Sequence, residues 1–292
     1  MKSLYRDFTT QDQLDEEYNP RFRVPETGEL LQGYLNESER VRTTLNNESS
    51  VAYGPTLSEV VDIFPAPESG NPVHVFIHGG YWHSYSSRDH AFIAEALVAN
   101  GVTTVLVNYA LCPQVTIWEI VRQCRAAVAW TFRNIAEYGG DPEQITVSGH
   151  SAGGHLTGML LATPWDADYG LPADVIKGAM PISGLFDLAP FPYTWLQPKL
   201  QLTWDQMRHY SPLLNLPPHP VPTIVAVGGE ESGEFQRQSR DYVDRLRERN
   251  IPATSLSVPD RNHFTVVHDF LGTGGPLCDT LLELIRTDAV PD

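Results

Sequence analysis

The chain has 292 residues and sets 20 Lys and Arg against 36 Asp and Glu, a formal net charge of −16. That balance argues against nucleic acid or an anionic membrane as a partner, because both require clustered cations. The three cysteines, Cys112, Cys124 and Cys278, are odd in number and far apart. They predict neither a disulfide framework nor a zinc site, and read as small buried hydrophobes. Met1 to Asp15 is polar and acidic, and no later run reaches about 18 consecutive apolar residues, so a cytoplasmic protein is expected.

In chain order, the first fifty residues show no strong strand. Thr10 or an adjacent Asp can cap a short helix, and Ser38 to Thr43 reads as another, ending in the polar run Asn46 to Ser50. Tyr5, Tyr18, Phe22 and Tyr34 supply aromatic anchors, so residues 1–57 are expected to pack on the main domain as an extension. From Ser58 onward, short β-branched runs alternate with helical stretches. Strands are predicted at Val60–Phe64, Val73–Ile77, Thr103–Val107, Gln144–Val147, Gly178–Ile182, Thr223–Val227 and Thr254–Val258. Helices are predicted at Arg88–Ala99, Ile117–Tyr138, Ser151–Leu161, Phe235–Arg249 and Leu277–Arg286. Near-continuous apolar strands separated by such helices define an α/β domain over residues 58–292, with a mostly parallel sheet covered on both faces. Leu185 to Pro218 is too long for a plain connection. Its Phe186, Phe191, Tyr193, Trp195, Trp204 and Tyr210 predict a lid or pocket wall, the alternative being a surface excursion packed by its own side chains.

Gly149-His150-Ser151-Ala152-Gly153 lies between a strand and a helix, the setting in which Gly-x-Ser-x-Gly becomes a nucleophile elbow. A serine at the tip of such a turn needs neighbours without bulk, and Ser151 has them. Upstream, Val73–Ile77 runs into His78-Gly79-Gly80-Tyr81-Trp82, where missing side chains let main-chain N–H groups approach a ligand. Gly80, Tyr81 and Ala152 are the expected donors to a substrate oxyanion. A serine hydroxyl also needs a base, and that base needs a carboxylate. The order Ser, acid, His after successive strands is met by Glu231, with Glu230 and Glu234 as alternatives, and by His263, with His268 as a rival. Trp82, His150 and Trp195 are the candidates for substrate contact. His150 and His155 are five residues apart with no His-Glu-x-x-His, and there is no Gly-x-Gly-x-x-Gly, so no metal or nucleotide cofactor is expected.

His78-Gly79-Gly80-Tyr81-Trp82, Gly149 to Leu156, Ser183-Gly184-Leu185-Phe186-Asp187-Leu188 and Gly233-Glu234-Phe235 resemble the α/β-hydrolase esterases related to hormone-sensitive lipase, in particular their kynurenine formamidase (arylformamidase) branch. The resemblance implies a cofactor-free serine hydrolase acting on a small acyl group carried by an aromatic amine or alcohol. It makes Ser151 the nucleophile, His263 the base and Glu231 the acid. It also suggests that residues 1–50 cover the pocket, and leaves open a homodimer. Two positions depart from the pattern: glutamates stand where many relatives have Asp, and Gln197 stands where Asn is expected. Amidase and carboxylesterase activity are not separable at this level, and a non-catalytic small-molecule receptor on the same fold is the rival from another class.

Overall fold

The computed structural model describes residues 3–272 and 274–287. Eight strands form one sheet: β1 Glu48–Ala52, β2 Val60–Phe64, β3 Asn71–Ile77, β4 Thr103–Val107, β5 Gly140–His150, β6 Ile176–Ile182, β7 Thr223–Gly228 and β8 Ala253–Val258. Their order is β1-β2-β4-β3-β5-β6-β7-β8. β2 runs antiparallel to β1 and β4, and every other pairing is parallel. The helices are α1 Gln11–Tyr18, α2 Thr27–Thr44, α3 Ile93–Ala99, α4 Ile117–Asn134, α5 Ala152–Leu161, α6 Trp165–Tyr169, α7 Gln197–Leu200, α8 Trp204–His209, α9 Gly233–Glu248 and α10 Pro276–Thr287.

Side-chain alternation along β3 divides the core. Val73, Val75 and Ile77 pack on one face with Ile117, Ile120 and Val121 of α4 and Leu156 and Leu160 of α5. Phe76, between them in sequence, lies on the other face with Ile93 and Leu97 of α3 and Leu277 and Leu281 of α10. The middle of the sheet is thus buried on both sides, which is why its central strands read as apolar runs. A third cluster joins Phe186 and Val225 to Tyr242, Val243 and Leu246 of α9. Truncating a residue such as Phe76, 1% exposed, to Ala would cost about 3–5 kcal/mol.

Two elements differ from expectation in the first fifty residues. α2 starts at Thr27 rather than near Ser38; its buried positions, Thr27, Tyr34, Ser38 and Val41, make a stripe too sparse and too polar to stand out. β1 forms within the polar Glu48–Ala52 stretch, whose side chains are mostly exposed. An edge strand is held by main-chain pairing to β2, which composition does not report. α1 begins as expected: Thr10 accepts from the Gln13 N–H in a capping box.

The 185–218 segment holds a 3₁₀ turn, Phe191–Tyr193, with α7 and α8. Phe186 and Phe191 are fully buried, whereas Trp204 is 68% exposed. Gln197 ties the segment internally, its amide group bonding both the N–H and the carbonyl of Leu202 at 3.1 and 2.9 Å.

Candidate active site

The carboxyl ends of β3, β5, β7 and β8 meet at one place, and the site is built there. β5 passes directly into α5 with Ser151 as the joint, at φ 58° and ψ −116°. Such a conformation costs on the order of 1–3 kcal/mol and persists only where the surroundings enforce it. Here the Ser151 N–H donates to the Ile182 carbonyl at 2.8 Å. A Cβ on Gly149 would strike the Gly153 carbonyl, and one on Gly153 would strike that of Ile77, so the turn closes only with glycine at both places.

The Ser151 hydroxyl lies 3.0 Å from Nε2 of His263, whose Nδ1 is 2.6 Å from a carboxylate oxygen of Glu231. The other Glu231 oxygen accepts the Gly228 N–H at 2.8 Å and the Ser183 hydroxyl. All three side chains are buried. The rivals are elsewhere. Glu230 is exposed. Glu234 is taken by Tyr18 and Arg237, at 2.5 and 2.7 Å. His268 sits on a 3₁₀ turn with its ring against Tyr34.

Above the serine, the turn after β3 carries an unusual run of positive φ at Gly80 (113°), Tyr81 (49°), Trp82 (58°) and Tyr85 (70°). A Cβ at Gly80 would collide with the Ser84 carbonyl. The main-chain N–H groups of Gly80, Tyr81 and Ala152 donate to no acceptor among the described residues. That of Ala152 is at the first position of α5, where the unpaired amides and the helix dipole favour negative charge. His78 anchors the turn from below. Its Nδ1–H donates to the Gly79 carbonyl at 2.7 Å, its ring stacks on Tyr109 at 4.1 Å, and burial lowers its pKa to about 3.

A cavity of about 410 Å³ opens over Ser151. His150 and Trp195 line it, as expected of substrate contacts. The His150 ring lies 4.7 Å from that of His263, and burial, aided by His263, drives its pKa well down, so the ring is neutral. Trp195 meets Tyr81 edge-on at 5.6 Å, and its main-chain N–H donates to Asp15 at 3.0 Å. Trp82 does not belong to the site. It is fully buried, with its indole N–H donating to His155 Nδ1 at 3.2 Å, while His155 Nε2–H donates to the Tyr210 carbonyl at 2.6 Å. This pairing satisfies the one polar atom of the indole and turns the ring into the core.

Sequence reasoning missed much of the wall. Asn19, Pro20, Arg21, Leu31 and Tyr34 reach the cavity from the N-terminal segment, and His83, Tyr85, His90 and Phe264 complete it. Tyr81 donates its hydroxyl to the Tyr18 carbonyl, fastening this segment over the opening. Among the described residues, no group of three or more His, Cys, Asp or Glu is placed to hold a metal, and no helix is long and apolar enough to cross a membrane.

Several known proteins are similar to this chain. The family model BD-FAE matches residues 31–169. Kynurenine formamidase of Salmo salar is 31% identical over 85% of this chain and 85% of its own length. That of Danio rerio is 28% identical over 94% and 97%. The crystal structure of a candidate thioesterase from Silicibacter sp. superposes with a TM-score of 0.82 at 26% identity, covering 94% of this chain and 99% of that one. The sheet order, the serine elbow and these likenesses define a hydrolase of the α/β-hydrolase class. Within that class the chain belongs to the kynurenine formamidase family, among the hydrolases related to hormone-sensitive lipase.

Proposed function

We propose that this hydrolase cleaves a small acyl group from an aromatic amine, an aryl formamide such as N-formylkynurenine, through an acyl-enzyme on Ser151. The continuous hydrogen-bond chain from Ser151 through His263 to Glu231, at the floor of an aromatic-walled cavity, carries the reading. His263 Nε2 takes the hydroxyl proton as Ser151 Oγ bonds to the substrate carbonyl carbon, while Glu231 holds the imidazolium. The carbonyl π electrons move onto oxygen, and the free N–H groups of Gly80, Tyr81 and Ala152 receive that charge. Collapse expels the amine, which takes the proton from His263. Water, deprotonated by the same imidazole, then releases the acid and restores the serine. Each oxyanion donor lowers the barrier by about 3 kcal/mol by analogy with measured cases. Tyr81, Tyr85, Trp195 and Phe264 offer faces and edges for an aromatic leaving group.

The test is turnover by kcat/KM on N-formylkynurenine, a simple N-acylated aniline and p-nitrophenyl acetate, with fluorophosphonate labelling of Ser151. Preference for the formamide supports the reading. An unreactive Ser151 would sink it and favour a receptor. The second reading, cleavage of esters or thioesters, is favoured by the Silicibacter relative, and ester turnover alone would select it.

A further inference from the structure

The charge of the cavity is opposite to that of the chain. Its lining residues include one arginine and no Asp or Glu, in a protein with 36 acids against 20 bases. The arginine is Arg21, and its backbone is fixed: Asn19 caps the 3₁₀ turn Pro20–Phe22 by accepting the Arg21 N–H at 3.2 Å. The nearby carboxylates are committed to other groups. Asp15 accepts the Trp195 N–H, and Glu17 pairs with Arg23 at 2.7 Å and accepts the Glu234 N–H. The guanidinium of Arg21 has no carboxylate partner among the described residues; it reaches only the Tyr85 hydroxyl, at 3.5 Å.

That contact links the guanidinium to the oxyanion turn. The Tyr85 ring packs against Gly80, where an added Cβ would meet Tyr85 Cδ2 at 2.7 Å. The guanidinium therefore stands about one tyrosine ring away from the oxyanion turn, in the wall of the cavity. Burial lowers the pKa of His83, a lining residue, and the charges of Lys199 on α7 and of Arg21 both add to the effect.

The geometry points to Arg21 as a specificity-determining residue that pairs with a carboxylate on the substrate's leaving group, so that the enzyme selects anionic acyl-aryl substrates over neutral ones. The inference rests on Ser151 acting in this cavity and adds a required charge to the substrate class. Planar N–H donors matched to a carboxylate suit arginine better than lysine for such a contact.

The test uses an ester pair, so that it reads Arg21 whether or not amides are accepted: phenyl acetate and 3-(2-acetoxyphenyl)propanoate, assayed with wild type, Arg21→Gln and Arg21→Lys. The wild type should favour the anionic ester in kcat/KM. Arg21→Gln should lower the ratio of anionic to neutral kcat/KM about tenfold or more, mainly through KM, with partial recovery in Arg21→Lys. Added salt should lower the wild-type ratio. A wild-type ratio near one, or a ratio that Arg21→Gln leaves within about twofold, overturns the inference. Loss of Ser151 labelling would instead strike the hydrolase reading, and the two failures are distinct.

Discussion

Tyr34, on α2, donates its hydroxyl to the main-chain carbonyl of Phe264, the residue that follows His263. A helix outside the sheet thereby holds the loop that carries the imidazole. Tyr34→Phe keeps the ring and removes the donor, leaving a part-buried carbonyl without its partner. The expected cost is about 1–3 kcal/mol of stability. A fall in kcat beyond what the stability loss explains, read at saturating substrate well below the melting transition, would show that the bond also positions His263. Unchanged kcat and unchanged melting would reject both roles.

Glu230 and Glu231 are adjacent in sequence but differ in environment. Glu231→Gln should reduce kcat by about three to four orders of magnitude, because the amide cannot stabilise the imidazolium and turns one end of the side chain into a donor facing Ser183 and Gly228. Glu230→Gln, at an exposed position, should leave kcat within about twofold of wild type. Equal losses in the two variants would refute the assignment.

Gly80→Ala tests the oxyanion turn. At φ 113° with the Ser84 carbonyl in the way, any Cβ forces the turn to shift and misaims its N–H groups. A drop of about 10²–10³ in kcat, with Ser151 still present and KM little changed, is expected from misplacing one donor. Wild-type kcat in this variant would remove Gly80 from the proposal.

Acid should unfold this protein through its buried imidazoles. Burial lowers the pKa of His74 and His78 from 6.5 to about 3, and of His90 and His155 to about 4. The unfolded chain takes up these protons below pH 6.5, whereas the folded chain refuses them until pH 3–4. Their contribution is therefore intact above pH 6.5 and is lost as pH falls through that window. Each group accounts for about 1.4 kcal/mol per pH unit there, and the four together for about 5.5. Calorimetric melts from pH 7 to 5 should show a steep decline in Tm, with roughly four or more protons taken up per molecule unfolded near pH 5, since His150 is held neutral as well. A flat Tm over that range would contradict the burial of neutral imidazoles.

The central strands were legible because burial on both faces leaves short apolar runs bounded by turn residues, whereas the exposed edge strand β1 has no such run. Ser151 and His263 were legible because their turns follow strand ends in the required order. The acid was legible only to a loop: what separates Glu231 from Glu230 is a Gly228 N–H and a Ser183 hydroxyl, the latter 48 residues away. Trp82 was misassigned because adjacency to the oxyanion turn does not report side-chain direction, and a positive φ at Trp82 turns the ring toward His155. The resemblance anticipated cover from residues 1–50, but the individual wall residues from Asn19 to Tyr34 were illegible for a related reason. Their contacts are with Tyr81, Tyr85 and Phe264, and a single chain carries no local trace of such distant pairs.

The N-terminal segment contributes walls and a cation to the cavity but none of the three residues in the Ser151–His263–Glu231 chain. Part of the cavity wall and the bond-breaking residues thus lie in different stretches of the sequence. Changes from Asn19 to Leu31 would reshape one wall without touching Ser151, His263 or Glu231.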